Sequence, residues 1–92
     1  MHRAMKHFTS PRFWKCYEQL SPEARRLAKK NFALLKRDPY HPSLHFKQIG
    51  RFWTARVGLE YRVMAIDGPQ GPIWCWIGPH DEYNDLLKSF AG

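Results

Sequence analysis

Apolar and polar residues alternate with a period of two along the second half of the chain, and this sets out a small sheet. From Phe52 to Val57, Trp53, Ala55 and Val57 fall on one side, with Thr54 and Arg56 on the other. From Tyr61 to Ile66, Tyr61, Val63 and Ala65 form a second apolar row, and Arg62 points the opposite way. If both rows lie on one buried face, Val57 pairs with Tyr61 and Arg56 with Arg62, leaving Gly58-Leu59-Glu60 as the turn. A slip of one residue would put the apolar row into water. A third strand is predicted from Ile73 to Ile77, apolar on both faces as in a strand covered from both sides. The Gly/Pro-rich stretch Asp67 to Pro72 is the turn that leads into it, and the stretch Gly78 to Tyr83 reads as a loop.

The first half changes to a helical period. Ser10-Pro11 and Ser21-Pro22 each place a capping serine before a proline at the first helical position. Phe13, Tyr17 and Leu20 mark the apolar side of the first helix; Ala24, Leu27, Ala28, Phe32 and Leu35 mark that of the second. Asp38-Pro39 ends the second helix, since a residue before proline avoids the helical region. A short edge strand is expected within Ala4 to Thr9, an extended segment from Leu44 to Ile49, and a short closing helix from Tyr83 to Phe90. The fold class is α+β: an N-terminal helical hairpin laid on an antiparallel sheet of three to four strands, with a short C-terminal helix.

Composition narrows the function classes. Ninety-two residues, 43% hydrophobic and 15% aromatic, make a single domain over residues 1–92 rather than a disordered basic peptide. Fifteen Lys and Arg against eight Asp and Glu give a net charge of +7, which suits a binder of nucleic acid or of an acidic protein. Two cysteines, Cys16 and Cys75, read as free thiols of a reducing cytoplasmic protein. Met1 to Phe8 is not followed by an apolar run, so no export signal is read there. No stretch has the roughly 18 apolar residues of a membrane span.

The register makes Arg56 and Arg62 the most informative pair. Two guanidinium groups opposite each other destabilise a sheet unless an anion lies between them. Forked donors match phosphate oxygens, whereas Glu60, Asp81 or Glu82 would neutralise the pair as ordinary ion pairs; composition leaves the two readings even. His80, at the end of a strand, can exchange a proton near neutral pH, although a loop histidine is more often a surface residue. The basic residues on the outside of the second helix read as a solvated face with weak long-range steering of RNA. The tryptophans read mostly as core. His41, His45, Cys75 and His80 do not form a metal site, because prolines break the helical spacing and no CxxC or HExxH pattern is present.

These residues together resemble the RelE/ParE superfamily of bacterial toxin–antitoxin toxins. The resemblance runs through Leu34-Leu35-Lys36-Arg37-Asp38-Pro39, His41 to Gly50, Trp53 to Val63, and Trp76-Ile77-Gly78-Pro79-His80-Asp81-Glu82-Tyr83. It implies a sheet with helices packed on one face, and a toxin silenced by a cognate antitoxin. One branch cleaves mRNA on the ribosome through the RNA's own 2′-hydroxyl, without metal or cofactor; the other inhibits DNA gyrase. On the first branch, the resemblance implies that Arg56 and Arg62 hold the scissile phosphate. His80 would protonate the leaving oxygen, and Tyr83 would orient RNA or assist proton transfer. Lys47 would touch phosphate, and His45 or His80 would stand in for a base. Trp53 and Ala55 depart from the pattern, since ribonuclease members carry lysines there. That leaves the gyrase branch, or an inactive relative that only binds its antitoxin or RNA, as alternatives.

Overall fold

A computed structural model describes residues 6–91. In chain order these form β1 (Phe8–Thr9), α1 (Pro11–Glu18), α2 (Pro22–Arg37), a 3-10 turn (Pro42–Leu44), β2 (Lys47–Ile49), β3 (Phe52–Val57), β4 (Tyr61–Gly68), β5 (Gly71–Pro79) and α3 (His80–Ala91). Both capping serines act as expected. Ser10 Oγ accepts from the Phe13 amide and Ser21 Oγ from the Ala24 amide, each satisfying a donor that the first helical turn leaves open.

The sheet has five strands in the order β1-β5-β4-β3-β2 and is mixed, which corrects the expected three to four antiparallel strands. The fifth strand is β1, paired in parallel with Ile73 and Trp74 of β5 and held by the Ser10 amide donating to the Trp74 carbonyl at 2.9 Å. Ala4 and Met5, part of the strand expected there, lie outside the described residues. The segment expected to be extended from Leu44 begins instead as the 3-10 turn, because Pro42 favours a helical first position. His45 then takes a left-handed conformation, φ 45°, and only Lys47–Ile49 pairs. The last helix begins at His80 rather than Tyr83, so the histidine expected in a loop is its first residue. Phe90, expected on its apolar side, lies outside the described side chains.

The two N-terminal helices meet the sheet separately, α1 against β5 and α2 against β3. On this helix side Phe13, Leu20, Ala24, Ala28, Leu35 and Leu44 pack over Ala55, Val57, Val63, Ala65, Trp74 and Ile77. On the other side Met64, Trp76 and Tyr83 form a second cluster beneath α3, joined by Leu86 and Leu87. A register shift between Met64 and Ala65 allows both layers to form. Met64 pairs with Trp76 and Ala65 with Trp74, so Cys75 is the extra residue and the two tryptophans enter opposite cores. The other two tryptophans are less enclosed than expected: Trp53 is half-buried and stacks on Phe46, and Trp14 is 48% exposed.

His7 joins the helix-side core. The Trp74 indole can only donate, and it bonds His7 Nδ1 at 3.0 Å, so the ring is the neutral tautomer with its proton on Nε2. The imidazole stacks on Trp74 and meets Phe32 edge-on. Burial, then the nearby Lys36 ammonium, lower its pKa below the ordinary histidine value. The unfolded chain therefore binds a proton more readily than the folded one. The stability contributed here is complete above about pH 6.5 and is lost as pH falls through the depressed folded pKa. The urea midpoint is expected to drop on acidification from pH 7.5 to 5, with a shallower drop in His7→Asn. Parallel pH profiles for the two proteins would show that His7 does not contribute to the acid sensitivity.

Candidate functional site

The β3–β4 hairpin closes with the expected register: Arg56 opposite Arg62, and Val57 opposite Tyr61. Gly58 makes the reversal at φ +65°, and a Cβ there would come within 2.6 Å of Leu27 Cδ2 on α2. A side chain is thus opposed both by the left-handed backbone and by the helix. Alternation puts both arginines on the face of Thr54 and Met64, the side of the sheet that carries α3. Arg62 Nη1 donates to the Tyr61 carbonyl at 2.8 Å and to the Leu59 carbonyl at 3.3 Å, which draws the group back towards the turn.

Partial burial, then the Arg56 charge, lower the Arg62 pKa, and Tyr83 partly offsets them. Among the described residues, neither arginine has a carboxylate within 4 Å. The ion pair found there joins His80 Nδ1 to Asp81 Oδ1 at 3.1 Å. Glu60, Asp81 and Glu82 therefore do not neutralise the arginine pair. Two like charges remain facing each other, that of Arg62 partly desolvated, an arrangement that an added anion would stabilise.

Around this pair, register assigns the neighbours. Lys47 on edge strand β2 is opposite Thr54, which places it on the arginine side and diagonal to Arg56. Gly78 on β5 is opposite Arg62, and a Cβ on Gly78 would meet the Trp76 ring at 2.6 Å and Glu82 Oε2 at 3.2 Å. Tyr83 is 8% exposed and stacks on Trp76 at 6.4 Å between centroids, so its ring lies in the layer beneath α3. His80 sits at the rim, half exposed; its amide is tied to the Glu60 carbonyl, and Asp81 holds Nδ1. The hairpin turn and the start of α3 are thereby pinned together.

Of the residues singled out in the sequence, Arg56, Arg62, Lys47 and Tyr83 share one side of the sheet, with His80 at its border. His45 lies elsewhere, in a groove of about 590 Å³ between α2 and the hairpin turn. The groove is also lined by Leu27, Lys30, Leu34, Arg37 and His41, and Arg56 borders it. Positions 53 and 55 face the helices, so lysines there would not reach the arginine side; Lys47 supplies the ammonium on that side. Two residues were not picked out as part of the site, Gly78 and Glu82. Their signal was the unusual Gly-Pro-His-Asp-Glu run, which reads equally well as a strand end followed by an acidic helix start. Among the described residues, no three His, Cys, Asp or Glu side chains converge as a metal site. No helix is long and apolar enough to cross a membrane.

No protein-family profile and no curated protein sequence matches the chain. Solved structures do. The chain is similar to a RelB–RelE antitoxin–toxin complex from Methanococcus jannaschii, with 16% identity and a TM-score of 0.65 over 86% of this chain and 96% of that one. It is similar to a YoeB/ParE toxin from Agrobacterium tumefaciens, with 16% identity and a TM-score of 0.61 over 83% and 99%. The isolated E. coli RelE toxin aligns over 95% and 99% of the two chains, with 15% identity and a TM-score of 0.59. These likenesses show a RelE-like α+β fold, as the resemblance implies in its coarse form, with a five-stranded mixed sheet in place of three to four antiparallel strands.

Proposed function

We propose that this chain, with its RelE-like fold, is the toxin of a toxin–antitoxin pair and acts as a metal-independent endoribonuclease on ribosome-bound mRNA in the cytoplasm. The observation that carries the reading is the facing pair Arg56 and Arg62, unpaired by any described carboxylate, on the sheet face that Lys47 shares. A phosphodiester at this pair meets two forked donors, which favour the extra negative charge of the phosphorane over that of the ground state. Lys47 meets a neighbouring phosphate. His80, with Nδ1 held by Asp81, has Nε2 free to protonate the departing 5′-oxygen. Tyr83 orients the RNA or assists proton transfer. A small acidic antitoxin is the partner expected for a +7 chain of this fold.

The test is induction in a bacterial cell followed by mapping of transcript 5′ ends. New ends inside translated frames, in register with codons and absent with His80→Ala, are expected. Intact mRNA with DNA-damage signalling would transfer the assignment to a gyrase inhibitor. Intact mRNA and normal growth would leave a scaffold that only binds a partner.

A further inference from the structure

We infer that Glu82 is the general base of this site; the inference rests on the ribonuclease reading above. Glu82 is in the first turn of α3, two residues past His80 and beside the buried Tyr83. Its Oε2 lies 3.2 Å from the point where a Cβ on Gly78 would stand, and Gly78 is the cross-strand partner of Arg62. Directly opposed β-carbons are about 4.5–5.5 Å apart. The carboxylate is thus poised over the same face as the arginine pair, one strand away, yet neither Arg56 nor Arg62 reaches within 4 Å of it.

Opposite charges that share a face and do not close on each other leave room between them. Arg62 is turned aside by its bonds to the Tyr61 and Leu59 carbonyls, which helps keep that space open. The missing side chain of Gly78 leaves the carboxylate its place over β5, because a Cβ there would stand only 3.2 Å from Glu82 Oε2. A ribose on the Glu82 side of a phosphate clamped by the arginines presents its 2′-hydroxyl to that carboxylate.

In the step that follows, Glu82 takes the 2′-hydroxyl proton and the 2′-oxygen bonds to phosphorus. The bond from phosphorus to the 5′-oxygen breaks, and that oxygen takes a proton from His80. The products are a 2′,3′-cyclic phosphate and a 5′-hydroxyl end, and Glu82 returns its proton to solvent. A proton donor and a proton acceptor within reach of the same phosphate are what general acid–base catalysis of this reaction requires.

The experiment is single-turnover cleavage of a short mRNA on programmed ribosomes, and of the same RNA free in solution, by wild type, Arg62→Ala, Glu82→Gln and Glu82→Asp across a pH series. Glu82 is exposed, so the variants should keep the wild-type circular dichroism. Glu82→Gln is expected to lower the cleavage rate by about 10²- to 10⁴-fold and to remove the acidic limb of the pH profile. Glu82→Asp should retain that limb at a reduced rate. If wild type cleaves and Arg62→Ala does not, while Glu82→Gln keeps the rate and the acidic limb of wild type, the base assignment is overturned and the ribonuclease reading stands. No cleavage by wild type on either substrate would overturn both.

Discussion

Arg62→Ala is expected to abolish growth inhibition while leaving a protein at least as stable as the parent. The two effects have opposite signs because they arise from the same charge. In the free protein Arg62 faces Arg56 with no described carboxylate near either, and like charges directly opposite cost a sheet about 0.2–1 kcal/mol. Removing one guanidinium relieves that repulsion, so the urea midpoint should hold or rise slightly. On the proposed ribonuclease reading, the same group supplies charge-assisted donors to the transition state. Loss of one such donor costs about 10²–10³ in rate. Ribonuclease rates, colony counts after induction and urea titrations measure both sides. An Arg62→Ala protein as toxic as the parent would show that the arginine pair is not the site.

The second large effect is on the fold. Trp74→Ala is expected to destabilise the domain by about 3–5 kcal/mol, a large part of the roughly 5–15 kcal/mol typical of a domain. Trp74 is 1% exposed, packs among residues from both N-terminal helices and stacks with His7. Its truncation opens a cavity and also leaves His7 Nδ1 without its donor. Trp74→Phe keeps most of the volume and loses only the indole N–H, so it should cost about 1 kcal/mol. Urea denaturation followed by circular dichroism separates the two variants. A Trp74→Ala midpoint close to wild type would mean that the core closes around the gap and that the helix-side layer is more plastic than its packing indicates.

The hairpin and its arginine pair were legible because burial of Ala55, Val57, Tyr61 and Val63 permits one register only. The helix starts were legible because Ser-Pro is a local signal whose physics lies within one turn. Other features depend on distant partners. A short strand before Ser10 was expected, but its parallel pairing with β5 rests on backbone bonds that no side-chain pattern announces. α3 was expected too late because Pro79 reads as an interruption, whereas it ends β5 and the helix begins at the next residue. The position of His45 depended on a left-handed turn after Leu44, and reversing the chain there sent the ring to the α2 side. Glu82 looked like an ordinary acid at a helix start until β5 put Gly78 opposite Arg62.

The extra residue at Cys75 has one more consequence. Before it, β5 is read in one frame, with Trp74 belonging to the layer that keeps the chain folded. After it, the strand is read in the other frame, with Trp76 belonging to the layer that supports Tyr83 and the start of α3. Mutational pressure on the two layers is therefore uncoupled along a single strand. The α3-side surface can be rebuilt residue by residue while the helix-side layer stays still. Such a separation of layers is compatible with one fold being shared at 15–16% identity, as it is between this chain and the M. jannaschii, A. tumefaciens and E. coli structures.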